Sequence, residues 1–256
     1  VVVENVTRFN PRAQENEPTG VLNVFGYLPF DENTEEQRDK FEKALGHLGL
    51  ITTIPKPHYK PIQDQNWMEA WKENFLPIPI GQKILILPAW KIPAEEEERI
   101  VIRINPAMAF GTGTHPTTQL CLRLLERHFK IGEEIIDVGC GSGILSIAAL
   151  KMGASHVVAV DTDNQAVIAT QENAAINHLA AGVLETGRGS VEEVLSGQFT
   201  VINAPLVMVN ILAKIIIQLF GQGLANLVQE DGMLLLSGIL EHQVEDVLKT
   251  SREAGF

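Results

Sequence analysis

Two carboxylates and three glycines lie close together in this chain in a pattern suited to binding a ligand. In "IIDVGCGSGILSIAAL", Asp137 precedes the alternating Gly139, Gly141 and Gly143, and a helix-like run follows. Glycine lets the backbone approach a ligand closely, and a helix start aims N–H groups at it. The spacing is G-x-G-x-G, whereas the dinucleotide fingerprint requires G-x-G-x-x-G. Asp137 would repel a pyrophosphate and attract a cation. A second strand-like run, "VVAVDTD", ends in Asp161, where a carboxylate accepts hydrogen bonds from ribose hydroxyls. The next acid, Asp163, reads as the cap of the following helix.

A third candidate is "AFGTGTHPTT", Ala109 to Thr118, with two glycines, four threonines and one histidine. Such a loop could cradle a phosphate, hold a metal or line a pocket. A lone His115 makes no metal site, and no metal is expected. His115 has a plainer alternative, a hydrogen bond within its own loop.

These residues need a scaffold. From Thr117 onward, strand-like and helix-like runs alternate: helix 117–129, strand "EIIDVGC", helix 144–152, strand "HVVAVD", helix 165–177, a strand near Val183, a strand near 201–209, a helix, strand "GMLLLSG" and helix 241–254. Apolar strands alternating with helices imply a parallel, doubly wound α/β sheet. Before it, "KILILPAW" and "RIVIRINP" read as paired strands around an acidic hairpin tip, "KIPAEEEE". The first stretch reads strand (1–9), strand (20–27), helix (34–48), strand (50–54), a β-β-α-β order that predicts a small α+β domain. Three prolines in "PKPHYKPIQ" mark a linker. Trp67 and Trp71 share one face of a short helix, a staple between linker and domain. The resulting division is 1–55, 56–77 and 78–256.

The 256 residues are 45% hydrophobic and 20% charged, with a net charge of −12. No basic footprint for nucleic acid is present, and an acidic surface suits a basic protein partner. The only cysteines, Cys121 and Cys140, imply no disulfide framework and fit a reducing, cytoplasmic home. The most apolar window, 201–220, holds two Asn, a Pro, a Lys and a Gln, too interrupted to span a bilayer. The start at Val1 within a strand-like run and the stop after "SREAGF" read as a chain cut short at both ends.

"DVGCGSG" followed by "VVAVDTD" resembles the class I S-adenosylmethionine-dependent methyltransferases. "WMEAWKENFLPIPIG", "ILPAW", "AFGTGTHPTT", "VNILA" and "LLSGIL" narrow the resemblance to the bacterial ribosomal protein L-eleven methyltransferases, from about Trp67 to the end. The resemblance implies a Rossmann-like doubly wound methyltransferase sheet lacking its last strands. It also implies a truncated, ferredoxin-like N-terminal domain that grips the substrate. The cofactor would be S-adenosyl-L-methionine, and the "FGTGTHPTT" loop would cover its methionine part through Phe110, Thr112, Gly113, His115 and Thr117.

The resemblance further implies methylation of amino groups of a basic large-subunit ribosomal protein by a monomer, without direct nucleic-acid or membrane contact. An Asn would orient the acceptor nitrogen. Asn210 in "VNILA" is the first candidate, and Asn203 in "NAPL" the second. The latter resembles the N-P-P-[YF] motif of amide and adenine methyltransferases, which keeps a glutamine-amide or nucleobase enzyme open as an alternative. Either Asn could instead cap a helix. An eroded, non-catalytic cofactor-binding module is a further alternative. Ser190 stands where the family often has an acid on the adenine side, so Glu192 or a backbone N–H would have to substitute.

Overall fold

The computed structural model describes residues 2–10, 15–25, 34–48, 57–59, 76–94, 97–105, 111 and 113–256. The chain divides into two compact units, Val1–Trp67 and Met68–Phe256. In the first, β1 (Val2–Asn10) pairs antiparallel with β2 (Glu15–Phe25), with a register irregularity between Asn5 and Thr7. Helix α1 (Thr34–Leu48) follows over the residues expected. The strand expected at 50–54 and the helix carrying Trp67 and Trp71 lie outside the described residues.

The second unit is built on a five-stranded parallel sheet. Its strands are β6 (Glu134–Val138), β7 (His156–Asp161), β8 (Leu184–Arg188), β9 (Ala204–Asn210) and β10 (Val228–Ser237), in the order β10-β9-β6-β7-β8. Helices α2 (Pro116–His128), α3 (Ile144–Lys151), α4 (Asn164–Ile176), α5 (Val191–Leu195), α6 (Ala213–Gly221) and α7 (Val244–Glu253) connect and flank these strands. Alternation along the strands feeds two cores, as a doubly wound sheet requires. Ile135, Val157, Leu206 and Met208 join the core under α2 and α3, whereas Ile136, Val158, Val207 and Val209 join the other. The apolar window 201–220 is thus strand, turn and helix. Among the described residues no helix is long and apolar enough to cross a membrane.

A small second sheet packs on the first core. Strands β3 (Ile78–Ile80) and β4 (Ile84–Pro88) form an antiparallel hairpin whose turn is held by Glu126 of α2, through the Gln82 and Lys83 N–H groups at 2.9 and 3.1 Å. Strand β5 (Ile100–Ile104) pairs with β4 in parallel. The hairpin expected around "KIPAEEEE" is therefore a crossover. Residues 89–99 are enough to return the chain to the start of the sheet, because a parallel pair needs a connection of about a dozen residues. Side-chain alternation is the same for either strand direction, so the pattern did not reveal it.

The other edge of β5 meets side chains of α4. Asn177 accepts from the Arg103 N–H at 2.9 Å and donates back to the Arg103 carbonyl at 2.6 Å, and Asn173 accepts from the Asn105 N–H at 2.8 Å. Two asparagines one turn apart thus stand in for a neighbouring strand.

Gly238, just beyond β10, has φ +86°, and a Cβ there would lie 2.1 Å from the Ile211 carbonyl oxygen, just beyond β9. Backbone cannot yield as a flexible side chain does. Gly238→Ala is expected to cost roughly 2–4 kcal/mol, read as a lowered urea midpoint.

Candidate functional site

In an open α/β sheet the crevice for ligands lies beyond the carboxyl ends of the strands, where the strand order reverses. Here β6 is that strand, with β7 on one side and β9 on the other. It ends in Val138 and runs into the glycine turn. Gly139, Gly141 and Gly143 all have positive φ, at 78°, 55° and 76°. Side chains are excluded by packing as well: a Cβ on Gly139 would lie 2.6 Å from Ile211, and one on Gly143 would lie 2.7 Å from Thr170. With bare glycines at alternate positions and the Cys140 and Ser142 side chains buried, the turn presents a backbone cradle.

The turn is tied to the neighbouring strand. Gly139 and Cys140 donate to the Val160 carbonyl at 2.8 and 3.1 Å. Asp161, at the end of β7, accepts from the Gly141 N–H at 3.0 Å through one carboxylate oxygen and from the Asp163 N–H at 2.9 Å through the other. Each oxygen has a second lone pair left for a ligand hydroxyl. Asp163 caps α4, accepting from the Gln165 N–H at 2.9 Å. The next strand joins the group where Gly189 donates to the Asp161 carbonyl at 3.0 Å. Ser190 lies beside it at the start of α5, where its own N–H donates to Glu193 at 2.8 Å. Glu192, the alternative to it, is exposed.

Asp137 is almost wholly buried within β6, at 1% exposure. One oxygen accepts from the Ser146 hydroxyl at 2.6 Å, and the other, Oδ1, is buried without a partner among the described residues. Burial pushes its carboxyl up from the ordinary 3.8 to about 6; the Ser146 hydrogen bond opposes this and the Asp161 charge adds to it. An unpartnered acceptor on a reluctant anion is suited to a cation.

The loop before α2 is described at Gly111 and from Gly113 onward, whereas Phe110 and Thr112 lie outside the described residues. Gly113 is buried with φ +85°, and a Cβ there would lie 2.6 Å from Ile86. Gly111 accepts from the Ser142 hydroxyl at 2.7 Å, which fastens this loop to the glycine turn. His115 is the N-cap of α2: its Nδ1 lies 2.7 Å from the Thr117 hydroxyl and accepts from the Thr117 N–H at 3.3 Å. The Thr117 carbonyl in turn accepts from Ser237 at 3.4 Å. Among the described residues no cluster of His, Cys, Asp and Glu could hold a metal ion.

The two candidate asparagines fall at opposite ends of β9. Asn210 is its last residue, in register with Ser237 of β10, and its side-chain oxygen is buried without a partner among the described residues. Asn203 precedes the strand, exposed, with its side-chain oxygen accepting from Gln229 at 3.2 Å. A strand of this length separates them by about 20 Å. Asn203 is therefore remote from the glycine turn. The pairing of Ala204 with Val228 places "NAPL" at the beginning of the strand.

Sequence reasoning missed Ser142, Ser146, Thr170 and Asn173, all buried around the turn. Ser142 and Ser146 lie inside the quoted motif, and Thr170 and Asn173 lie one helical turn apart on α4. Small polar residues on a helix face that should be apolar were the available signal.

The arrangement offers a backbone cradle, a carboxylate for hydroxyls, a buried carboxylate for a cation and an unpartnered carbonyl opposite. These are the parts a nucleoside with a positively charged amino-acid tail requires. The family model for ribosomal protein L11 methyltransferase (PrmA) matches residues 2–256. A ribosomal protein L11 methyltransferase of Parasynechococcus marenigrum is 43% identical over 236 residues, covering 90% of this chain and 80% of its own. That of Heliobacterium modesticaldum is 37% identical over 249 residues, covering 93% and 74%. The crystal structure of ribosomal protein L11 methylase from Lactobacillus delbrueckii subsp. bulgaricus superposes with a TM-score of 0.60 at 33% identity, over 70% of this chain and 89% of that one.

Because Asp137 holds its proton more tightly folded than unfolded, its ionisation removes stability as pH rises from about 4 to about 6. Asp137→Asn abolishes that dependence. The unfolding free energy of the variant relative to the parent should rise by on the order of 2–3 kcal/mol between pH 4 and pH 7, measured by urea denaturation at each pH.

Proposed function

The chain belongs to the ribosomal protein L11 methyltransferase family, and from that premise we propose that it methylates amino groups of ribosomal protein L11, on lysine side chains, the N-terminal amine or both. Its cofactor is S-adenosyl-L-methionine. The observation that carries the acceptor side is the Asn210 side-chain oxygen, buried and unpartnered at the carboxyl end of β9.

The residues fit the cofactor. The alternating glycines from Gly139 to Gly143, with the Cys140 and Ser142 side chains buried between them, leave backbone to receive it, and Asp161 has lone pairs for the ribose hydroxyls. The unpartnered Asp137 oxygen is assigned to the positive charge of the methionine part. The loop through Phe110, Thr112, Gly113, His115 and Thr117 is assigned to the same end, and Ser190 to the adenine side. Bound S-adenosylmethionine supplies a methyl group on a sulfonium that is already a leaving group.

The chain then has to present a nitrogen lone pair in line with that methyl, at about 3 Å. A lysine amine with an ordinary pKa of about 10.4 is protonated near neutrality. Desolvation at the site favours its neutral form. The Asn210 carbonyl accepts one N–H of the neutral amine and so fixes where its lone pair points. Leu212 and Leu240, in the loops after β9 and β10, are 73% and 61% exposed and offer apolar contact for the methylenes of a lysine. No general base is assigned, because the proton can leave to water before attack. The net charge of −12 favours encounter with a basic protein. The N-terminal unit, Val1–Trp67, is assigned to gripping it.

Two measurements test this. Labelled S-adenosylmethionine incubated with unmethylated large-subunit proteins, followed by mass mapping, should place label on amines of L11; label on a glutamine amide or on RNA would overturn the acceptor class. Asn210→Ala should lower kcat by about 100-fold with cofactor affinity unchanged, and Asn203→Ala should leave both near parental values. Equal losses in the two variants would refute the assignment of Asn210.

A further inference from the structure

Helix α4 does more at the site than pack against the sheet. The Thr170 hydroxyl donates to the Gly141 carbonyl at 3.0 Å, and the Asn173 side chain donates to the Ser142 carbonyl at 2.9 Å. Both side chains are fully buried. A peptide unit is planar and trans, so its C=O and its N–H point opposite ways. Holding the Gly141 carbonyl toward α4 turns the Ser142 N–H away from it. Holding the Ser142 carbonyl likewise turns the Gly143 N–H, which closes the turn on the Cys140 carbonyl at 2.8 Å.

Neither grip can slacken alone. The Asn173 oxygen accepts from the Asn105 N–H at 2.8 Å, so flipping the amide would lose both bonds. Thr170 also packs where a Cβ on Gly143 would be, 2.7 Å from its methyl carbon. Asn177, one turn further along the same face, bonds Arg103 and the Asn173 carbonyl and makes no bond to the glycine turn.

The geometry points to Thr170 and Asn173 as positioning residues for S-adenosylmethionine: through the carbonyls of Gly141 and Ser142 they set the peptide orientation of the turn that receives it. This rests on the assignment of the glycine turn to the cofactor and not on the assignment of the acceptor.

The test is the dissociation constant for S-adenosylmethionine, measured by calorimetry well below the melting temperature, with melting recorded separately. Thr170→Val, which keeps the shape and removes the hydroxyl, should weaken binding about tenfold, the equivalent of one buried hydrogen bond. Thr170→Ser should restore it, and Asn173→Ala should weaken it at least as much. Asn177→Ala should lower the melting temperature and leave affinity unchanged. Parental affinity in Thr170→Val, or an equal loss in Asn177→Ala, would overturn the inference. Asp161→Ala separates the two levels: if it too bound like the parent, the cofactor assignment of the turn would fall, whereas a loss there with none in Thr170→Val would sink this inference alone.

Discussion

The site depends on one constraint, that the chain between β6 and α3 comes too close to its neighbours at Gly139 and Gly143 to bear a side chain there. Ile211 stands against Gly139 and Thr170 against Gly143. The positive φ values at Gly139, Gly141 and Gly143 are a conformation other residues adopt only at a cost. Because those glycine positions are bare, the turn can be held by bonds to its backbone from β7 and α4. The same bareness leaves room for a ligand on the remaining side.

Electrostatics follow from where that turn places its neighbours. Asp137 is buried because it belongs to the central strand, and burial raises its pKa. A group that resists ionisation when alone becomes a good partner for a cation, whose charge returns what desolvation removed. On the proposed assignment of Asp137 to the cofactor, stability is traded for binding in the middle of the sheet. Asp161 avoids that trade: it is partly exposed and already accepts two backbone N–H groups.

The methyltransferase core was legible from the sequence because its signal is local. The strand-helix alternation from Pro116 onward, the N-cap Asp163 and the glycine spacing each lie within one element or one turn. Two features were not legible for the same reason. The direction of β5 leaves no trace in its own side-chain alternation, and only the register Ile84↔Ile100 fixes it. The choice between Asn203 and Asn210 turned on where β9 begins, which an apolar run of that length does not mark.

Residue types and spacing determined by themselves that a cation-bearing nucleoside suits this chain better than a dinucleotide. G-x-G-x-G with an acid before it and another at the next strand end is a statement about charge and backbone, and both are written in the sequence. Tertiary structure alone decided which carbonyl lacks a partner, which asparagine stands at the carboxyl end of the sheet, and that Thr170 and Asn173 reach back to the turn. Those facts depend on bonds between residues about 30 positions apart, such as Ser142 with Gly111 and with Asn173. Contacts of that range are fixed by packing, and no local pattern encodes them.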